Sequence, residues 1–210
     1  MTRQLVLWRH GRTEWNTQGR TQGQSDTELD EVGLAQAAEA AIRLAAVAPT
    51  AIVSSDLKRA VDTAAELAAL TDLAPTYDRR LREVDFGARE GMTAEEARGR
   101  WPDEMARRDA GEDVRFPGAE TLAETAERFA AVLSDVSKTM SYGQSVVLVG
   151  HGSAMRVGAC AFVGFPTEHR TRFGAFANCC WAVLADGGRG WRIETWNASS
   201  LPAAVVGDDR

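Results

Sequence analysis

The sequence predicts an α/β protein whose mostly parallel sheet is covered by helices on both faces. Two observations support this fold class. Short apolar stretches of strand type alternate with amphipathic helical stretches along the 210 residues. Residues 146–149 are wholly apolar, as a central parallel strand requires. With 44% hydrophobic residues, the chain is long enough to bury one core, and we expect residues 1–210 to form a single domain.

The individual elements follow from periodicity and from capping signals. The predicted strands are residues 4–8, 51–54, 75–77, 146–149, 179–185 and 191–196. The last two strands are expected to form a hairpin. The predicted helices cover residues 31–47, the stretch that follows residue 54, and residues 153–162. Two Thr-x-x-Glu capping boxes, which begin at Thr93 and Thr121, predict two further helix starts.

Residues 90–118, called the cover segment below, interrupt the alternation of strands and helices. They hold charge clusters, a Trp-Pro pair and a Phe-Pro-Gly turn. We expect the cover segment to be a small insertion that lies over the functional site. Its mixed charges predict an accessible, wet mouth to that site.

The composition excludes several classes of protein. A net charge of −6 and a pI near 5.2 argue against a nucleic-acid-binding protein. No apolar run approaches the ~18 residues of a membrane span and no signal peptide is recognised, so a cytoplasmic protein is expected. Cys160, Cys179 and Cys180 lack CxxC spacing and are interpreted as buried, inert thiols, the last two on opposite faces of a strand. A homodimer is compatible with the sequence but not required by it.

Two of the three histidines directly follow the ends of predicted strands. His10 comes after the first strand and His151 after the fourth, and each is followed by glycine. Ligands of open α/β sheets bind outside the carboxyl ends of strands, which places both imidazoles at one edge with Arg9. Arg59 lies in the first turns of a helix, and its side chain is expected to lean back toward the same edge. Glu83 falls in a loop after a strand-like stretch.

This set of side chains is suited to a phosphomonoester dianion. Planar guanidinium groups match phosphate oxygens, and N–H groups near Gly152 and Ser153 at a helix start add donors. A neutral imidazole can attack phosphorus, and a carboxylic acid can protonate the leaving oxygen. The set needs no metal and no cofactor. Each residue alone also has a purely structural interpretation, so the hypothesis depends on their meeting at one edge.

The segment LWRHGRTEWN, residues 7–16, resembles the R-H-G-x-[ST]-x-x-N signature of the histidine phosphatase superfamily, the phosphoglycerate-mutase-like proteins. Further motifs of that family follow in order as SSDLKRA at 54–60, LRE at 81–83 and GHGS at 150–153. The resemblance implies a three-layer α/β/α sandwich and no required metal. It implies that His10 is the phosphorylated nucleophile and Glu83 the proton donor. The implied phosphate pocket consists of Arg9, Asn16, Arg59 and a protonated His151.

The choice between a phosphatase and a mutase depends on the segment between Glu83 and His151. Residues 84–150 are compact compared with cofactor-dependent mutases, which favours a phosphatase acting on a small phosphorylated metabolite. A phosphoglycerate mutase and a noncatalytic phosphoprotein-binding module remain alternatives. Several stretches resemble the family branch that contains glucosyl-3-phosphoglycerate phosphatases, which suggests a sugar-phosphoglycerate as substrate. The candidate substrate contacts are Arg12, Gln22, Gly23, Arg82, Gly152 and the turn at 116–121.

Overall fold

A six-stranded sheet forms the centre of the computed structural model, which describes residues 1–166, 169 and 172–199. The strands are β1 (Arg3–Arg9), β2 (Ala51–Ser54), β3 (Thr76–Tyr77), β4 (Ser145–Gly150), β5 (Trp181–Asp186) and β6 (Trp191–Ala198). Their order is β3-β2-β4-β1-β5-β6. The first four pair in parallel, whereas β5 and β6 are antiparallel. The predicted mostly parallel sheet, its closing hairpin and the central place of β4 are therefore confirmed.

The helices begin largely where the sequence signals them. They are α1 (Glu14–Thr17), α2 (Glu31–Ala45), α3 (Lys58–Thr71), α4 (Ala94–Arg100), α5 (Pro102–Asp109), α6 (Leu122–Thr139) and α7 (Gly152–Phe162). Short 3-10 turns cover Arg79–Leu81 and Gly87–Arg89. Both predicted capping boxes exist, since the Thr93 and Thr121 hydroxyls accept from the N–H three residues on. The box that opens α1 was not predicted, because it uses Asn16 in place of Glu or Gln.

The alternation of side chains along β1 divides the core into two layers. Leu5 and Leu7 face one side and pack with residues of α6 and α7, while Val6 and Trp8 face the other and pack with α2 and α3. Helices α6 and α7 approach closely at Gly158, where an added Cβ would lie 2.3 Å from a ring carbon of Phe129. Helices thus cover both faces of the sheet, as the predicted three-layer sandwich requires.

The cover segment has a small apolar cluster of its own. Ala97, Met105 and Phe116 are buried together with Ala119, which directly follows the segment. Its charged residues pair with one another on the exposed side, for example Arg98 with Asp109 at 3.1 Å and Arg107 with Glu112 at 2.8 Å. The predicted mixed charges are therefore present at the surface, whereas the cluster beneath them is apolar.

Two other predictions concern the cysteines and the membrane. Cys179 and Cys180 precede β5 rather than lying in it, and Cys179 has a left-handed φ of 55°, so the prediction of a shared strand was wrong. Cys160 and Cys179 are buried, and burial raises the pKa of the Cys179 thiol to about 12. Among the helices that the structure describes, none has the length and apolar character needed to cross a bilayer.

Candidate active site

His10 lies at the carboxyl end of β1, beside the end of β4. Its N–H donates to the carbonyl of Gly150 at 3.1 Å, which joins the two strand ends. The ring Nδ1 lies 2.7 Å from the carbonyl oxygen of Gly11. Because a carbonyl oxygen can only accept, Nδ1 carries the proton and Nε2 keeps its lone pair. Burial, then the charges of Arg59 and Arg9, hold the pKa of His10 well below its usual range. His10 is therefore a neutral imidazole with Nε2 unprotonated.

His151 follows β4 and forms the N-cap of α7. Its ring centroid lies 5.1 Å from that of His10. Its Nε2 lies 2.9 Å from the Ser55 hydroxyl, while its buried Nδ1 has no hydrogen-bond partner among the described residues. Burial, then the positive charge of Arg59, holds the pKa of His151 well below its usual range. Without a bound anion His151 is therefore neutral, and its protonation while it holds the transferring phosphoryl group stays a prediction.

Arg59 is the largest charged side chain that is completely buried. It lies in the first turn of α3, from which it donates to the carbonyl oxygens of Gly23 and Ser25, each at 2.7 Å. Burial lowers its pKa to about 10, although the charge of Glu83 opposes the shift. Within the described residues its guanidinium forms no ion pair, and its Nε is unpartnered. A buried cation without a counterion is a strong candidate for binding an anion.

Arg9 supplies a second cation at the same strand end. It donates to the carbonyl oxygen of Phe176, and its buried Nε has no hydrogen-bond partner in the part of the chain that is described. Gly152 lies against it, since an added Cβ would be 3.4 Å from that Nε. Burial lowers the pKa of Arg9, and the charge of Glu83 again opposes the shift. Within the described residues no group of three or more His, Cys, Asp or Glu side chains could hold a metal ion.

The carboxylate of Glu83 occupies the start of α7. Its Oε1 accepts from the N–H of Ala154 at 2.8 Å and from that of Val84 at 2.9 Å, and its Oε2 accepts from Ser153 at 3.1 Å. The expectation that the Ser153 N–H is open to phosphate was therefore wrong. The N–H of Gly152 has no partner among the described residues and remains available. The start of α7, directly after His151, thus holds the Glu83 carboxylate in place, and its role as proton donor stays a prediction.

The loop that carries Glu83 is held by Arg128 of α6, which sequence reasoning missed. The Arg128 guanidinium donates to the carbonyl oxygens of Arg80 and Arg82, each at 2.7 Å, and to that of Glu83 at 2.8 Å. Its Nε also donates to the carboxylate of Glu120 at 3.0 Å. The contact joins residues 45 positions apart, so no local pattern marks it. We call this set of contacts the Arg128 clamp.

Asn16 lies near His10, but its side-chain oxygen already has partners. Oδ1 accepts from the N–H of Thr13 at 3.1 Å, which completes the capping box of α1. It also accepts from the amide of Asn178 at 3.1 Å, and the same amide lies 3.2 Å from the carbonyl oxygens of His10 and Gly11. Asn178 was not predicted, because it lies in a loop with no motif of its own. Because Oδ1 has these partners, only the amide nitrogen of Asn16 can make the predicted contact with phosphate.

The predicted substrate contacts also have structural partners. Arg12 pairs with Asp30 at 2.8 Å, and Arg82 pairs with Asp56 through two contacts of 2.6 Å. Gln22 accepts from a threonine hydroxyl at 2.7 Å. Gly23 adopts a left-handed φ of 58°, and its carbonyl oxygen serves Arg59. Whether any of these residues also contacts substrate remains a prediction.

A cavity of about 300 Å³ is lined in part by residues of the cover segment. Ser153 and Val84, both hydrogen-bonded to the Glu83 carboxylate, lie in its wall. Of the predicted turn at 116–121, Phe116, Ala119 and Glu120 line it, whereas Arg12, Gln22 and Arg82 do not. The cavity therefore reaches two residues that bind the Glu83 carboxylate, although Glu83 itself, His10 and Arg59 do not line it.

Several known proteins are similar to this chain in both sequence and fold. The model of the histidine phosphatase superfamily (branch 1) matches residues 5–199. A glucosyl-3-phosphoglycerate phosphatase of Mycolicibacterium vanbaalenii is 37% identical over 97% of this chain and 98% of its own. A mycobacterial glucosyl-3-phosphoglycerate phosphatase structure with VO3 has a TM-score of 0.87 and 34% identity, covering 93% of this chain and 99% of that one. A protein of Salmonella paratyphi C named as a probable phosphoglycerate mutase is 33% identical over 98% of this chain and 93% of its own. A family match of this extent, on a chain whose motif histidines and arginines meet at one strand edge, shows that the protein belongs to the histidine phosphatase superfamily, branch 1.

Proposed function

We propose that the protein is a phosphomonoester hydrolase that works through a phosphohistidine at His10. The observation that carries this proposal is the tautomer of His10: the Gly11 carbonyl holds the proton on Nδ1 and leaves the Nε2 lone pair free, in a ring on which the charges of Arg59 and Arg9 act. A neutral imidazole is the nucleophilic form, and no base is needed to activate it. Arg9 and Arg59 stabilise the charge on the transferring phosphoryl oxygens.

The first step transfers the phosphoryl group to the enzyme. The bond between His10 Nε2 and phosphorus forms as the ester P–O bond breaks, and the departing alkoxide takes a proton from Glu83. Glu83 delivers this proton to the leaving oxygen, so it must hold the proton before the ester P–O bond breaks. In the second step Glu83 takes a proton from water, which attacks phosphorus and releases inorganic phosphate and free His10.

The substrate we propose is a small phosphorylated metabolite, specifically a sugar-phosphoglycerate. The name of the Mycolicibacterium relative and the cavity beside Glu83 support this choice. The relative from Salmonella supports phosphoglycerate mutase as a second candidate, since the two activities share one set of phosphate ligands. We also propose a cytoplasmic location, because three free cysteines suit a reducing compartment. Cell fractionation tests that location: recovery with the secreted or envelope fraction would contradict it.

A panel of phosphomonoesters assayed with a chelator present tests the function. We expect release of inorganic phosphate that the chelator does not abolish, with glucosyl-3-phosphoglycerate hydrolysed faster than 3-phosphoglycerate. His10→Ala should lose this activity, whereas His169→Ala, a matched control at the third histidine, should keep it. Activity on no ester in the parent protein would favour a binding module. Efficient interconversion of 3- and 2-phosphoglycerate that requires a bisphosphoglycerate primer would instead establish the mutase.

A further inference from the structure

Arg89 is a buried cation that the proposed phosphate site does not use. It ends the 3-10 turn at Gly87–Arg89 and is 7% exposed. Its guanidinium carbon lies 4.9 Å from the ring centre of Phe86 and 4.3 Å from that of Phe116. Within the described residues its side chain has no hydrogen-bond or ion-pair partner. Burial, then the positive charge of Arg108, lowers its pKa to about 10, although the charge of Asp109 opposes the shift.

The two aromatic contacts determine which part of Arg89 is available. A guanidinium that stacks on aromatic rings presents its faces to them and keeps its N–H donors in the plane of the group. Arg89 also lines the cavity of about 300 Å³ that adjoins Glu83. Its in-plane donors are therefore the part of the side chain that can serve a molecule in that cavity.

The acidic residues around the same cavity are already engaged. Glu112 pairs with an arginine of α5, and Asp113 accepts from the first N–H groups of α6 at 2.8 and 3.0 Å. Glu120 belongs to the Arg128 clamp. Arg108 adds a further positive charge to the cavity wall. None of the three carboxylates neutralises Arg89, so the cavity offers an uncompensated cation.

We propose that Arg89 binds a carboxylate of the substrate while the phosphate of the same molecule occupies the site at His10. This inference rests on the proposed function and specifies its substrate class as phosphorylated hydroxy acids. The proposal requires the leaving group to extend past Glu83 into the cavity that Arg89 lines, and Val84 and Ser153, which bind the Glu83 carboxylate, belong to the wall of that cavity. Apolar neighbours such as Val84, Ala97 and Met105 also line the cavity and reduce the screening of that ion pair by water.

A pair of substrates that differ in one group tests the proposal. In 3-phosphoglycerate a carboxylate takes the place of the hydroxymethyl group of glycerol 3-phosphate, and the remaining atoms match. A hydrogen bond between charged groups contributes about 1.5–3 kcal/mol, so Arg89→Met should lower kcat/KM for 3-phosphoglycerate by about 10- to 150-fold. The loss should appear mainly in KM. For glycerol 3-phosphate, kcat/KM should change less than about threefold, within the scatter of uninvolved sites.

Two further variants control for packing. Arg89→Lys keeps the charge but loses the planar fork, and it should recover part of the activity on 3-phosphoglycerate. Arg100→Met removes an arginine that also stacks on an aromatic ring, Trp101 at 4.8 Å, but is exposed and does not line the cavity. Arg100→Met should leave both substrates unaffected. Equal losses on both substrates for Arg89→Met, or no loss on either, would overturn the proposal.

The substrate preference of the wild-type protein also tests the proposal, and it does not depend on whether a variant folds. It should prefer 3-phosphoglycerate over glycerol 3-phosphate by at least about tenfold in kcat/KM, the lower limit of a charged hydrogen bond. Equal kcat/KM on the two substrates would refute a carboxylate site at Arg89 and leave the phosphatase proposal standing. Hydrolysis of neither these two nor any other ester would refute the phosphatase itself, so the two failures are distinguishable.

Discussion

Replacing Arg128 with methionine should remove the contacts that fix the proton donor. Arg128 donates to three backbone carbonyl oxygens in the loop at 80–83, and its Nε donates to Glu120. Methionine keeps much of the aliphatic volume, so the change is mainly the loss of the guanidinium. The variant therefore separates the placement of Glu83 from the packing of α6.

The size of the effect follows from these contacts. The two side chains of the Arg128–Glu120 pair are 19% and 18% exposed, so water replaces the lost hydrogen bonds only in part. Hydrogen bonds to a charged donor contribute about 1.5–3 kcal/mol each and are not additive, so we expect a total loss of about 2–4 kcal/mol in the free energy of unfolding. A shift of about 1 Å in a catalytic group can cost about 100-fold in rate. Hydrolysis of an alkyl phosphate should fall by up to that factor.

The assay compares leaving groups. An alkoxide needs the proton from Glu83, whereas the nitrophenolate of p-nitrophenyl phosphate departs with little help, so Arg128→Met should slow the alkyl ester much more. Glu83→Gln should show the same selectivity, and the double variant should be no slower on the alkyl ester than Glu83→Gln alone. Arg115→Met is the matched control, because the Arg115–Glu124 pair is 53% and 50% exposed and should contribute less than about 1 kcal/mol. Equal slowing on both esters, or additive losses in the double variant, would refute a role for Arg128 through Glu83.

Two further predictions concern stability. The folded protein holds the pKa values of His10 and His151 well below the unfolded value near 6.5, so the unfolded chain takes up more protons as pH falls. The free energy of unfolding in urea should therefore decrease below about pH 6.5 by up to about 1.4 kcal/mol per pH unit for each histidine. His10→Ala should reduce that slope, and a flat profile between about pH 5 and 6.5 would contradict the shifts. Gly158→Ala should lower the free energy of unfolding by about 1–3 kcal/mol, because the new methyl group would overlap the ring of Phe129. Gly99→Ala in α4 has no atom within 4 Å of the new methyl group and should raise the free energy of unfolding by about 0.5–1 kcal/mol. Similar Tm changes for the two variants would show that α6 and α7 can move apart to accept the methyl group.

The sequence contains enough information to locate the phosphate site. His10 and His151 follow strands whose apolar character marks them as parallel neighbours, and parallel strands bring their carboxyl ends to one edge. Arg59 follows β2 in the first turn of a helix, and the lean of helical side chains returns it to the same edge. These signals depend only on a few adjacent residues, so they can be recognised without knowledge of the tertiary contacts.

The rest of the site depends on contacts between distant segments. Glu83 accepts the hydrogen bond of the Ser153 N–H, which we expected to bind phosphate. The loop that carries Glu83 lies 70 residues earlier in the chain, and its contact with α7 forms only in the folded protein. Arg128 resembles any other helix-surface arginine in sequence, and only the packing of α6 brings it to the loop of Glu83. Arg89 stacks on Phe86 of its own 3-10 turn and on Phe116, and only the second contact joins distant parts of the chain. No periodicity or motif encodes such long-range partners.

The identity of the phosphorylated atom tests the central claim most directly. The enzyme should be mixed briefly with a radiolabelled phosphomonoester, quenched in alkali, where phosphohistidine is stable, and mapped by peptide mass spectrometry. The structure predicts one labelled site, Nε2 of His10, because Nδ1 is engaged by the Gly11 carbonyl. The label should be absent from His10→Ala, persist longer in Glu83→Gln, and be unchanged in His169→Ala. Phosphate on His151 or His169 while His10 is intact, or steady hydrolysis with no phosphoenzyme at any time, would contradict the account.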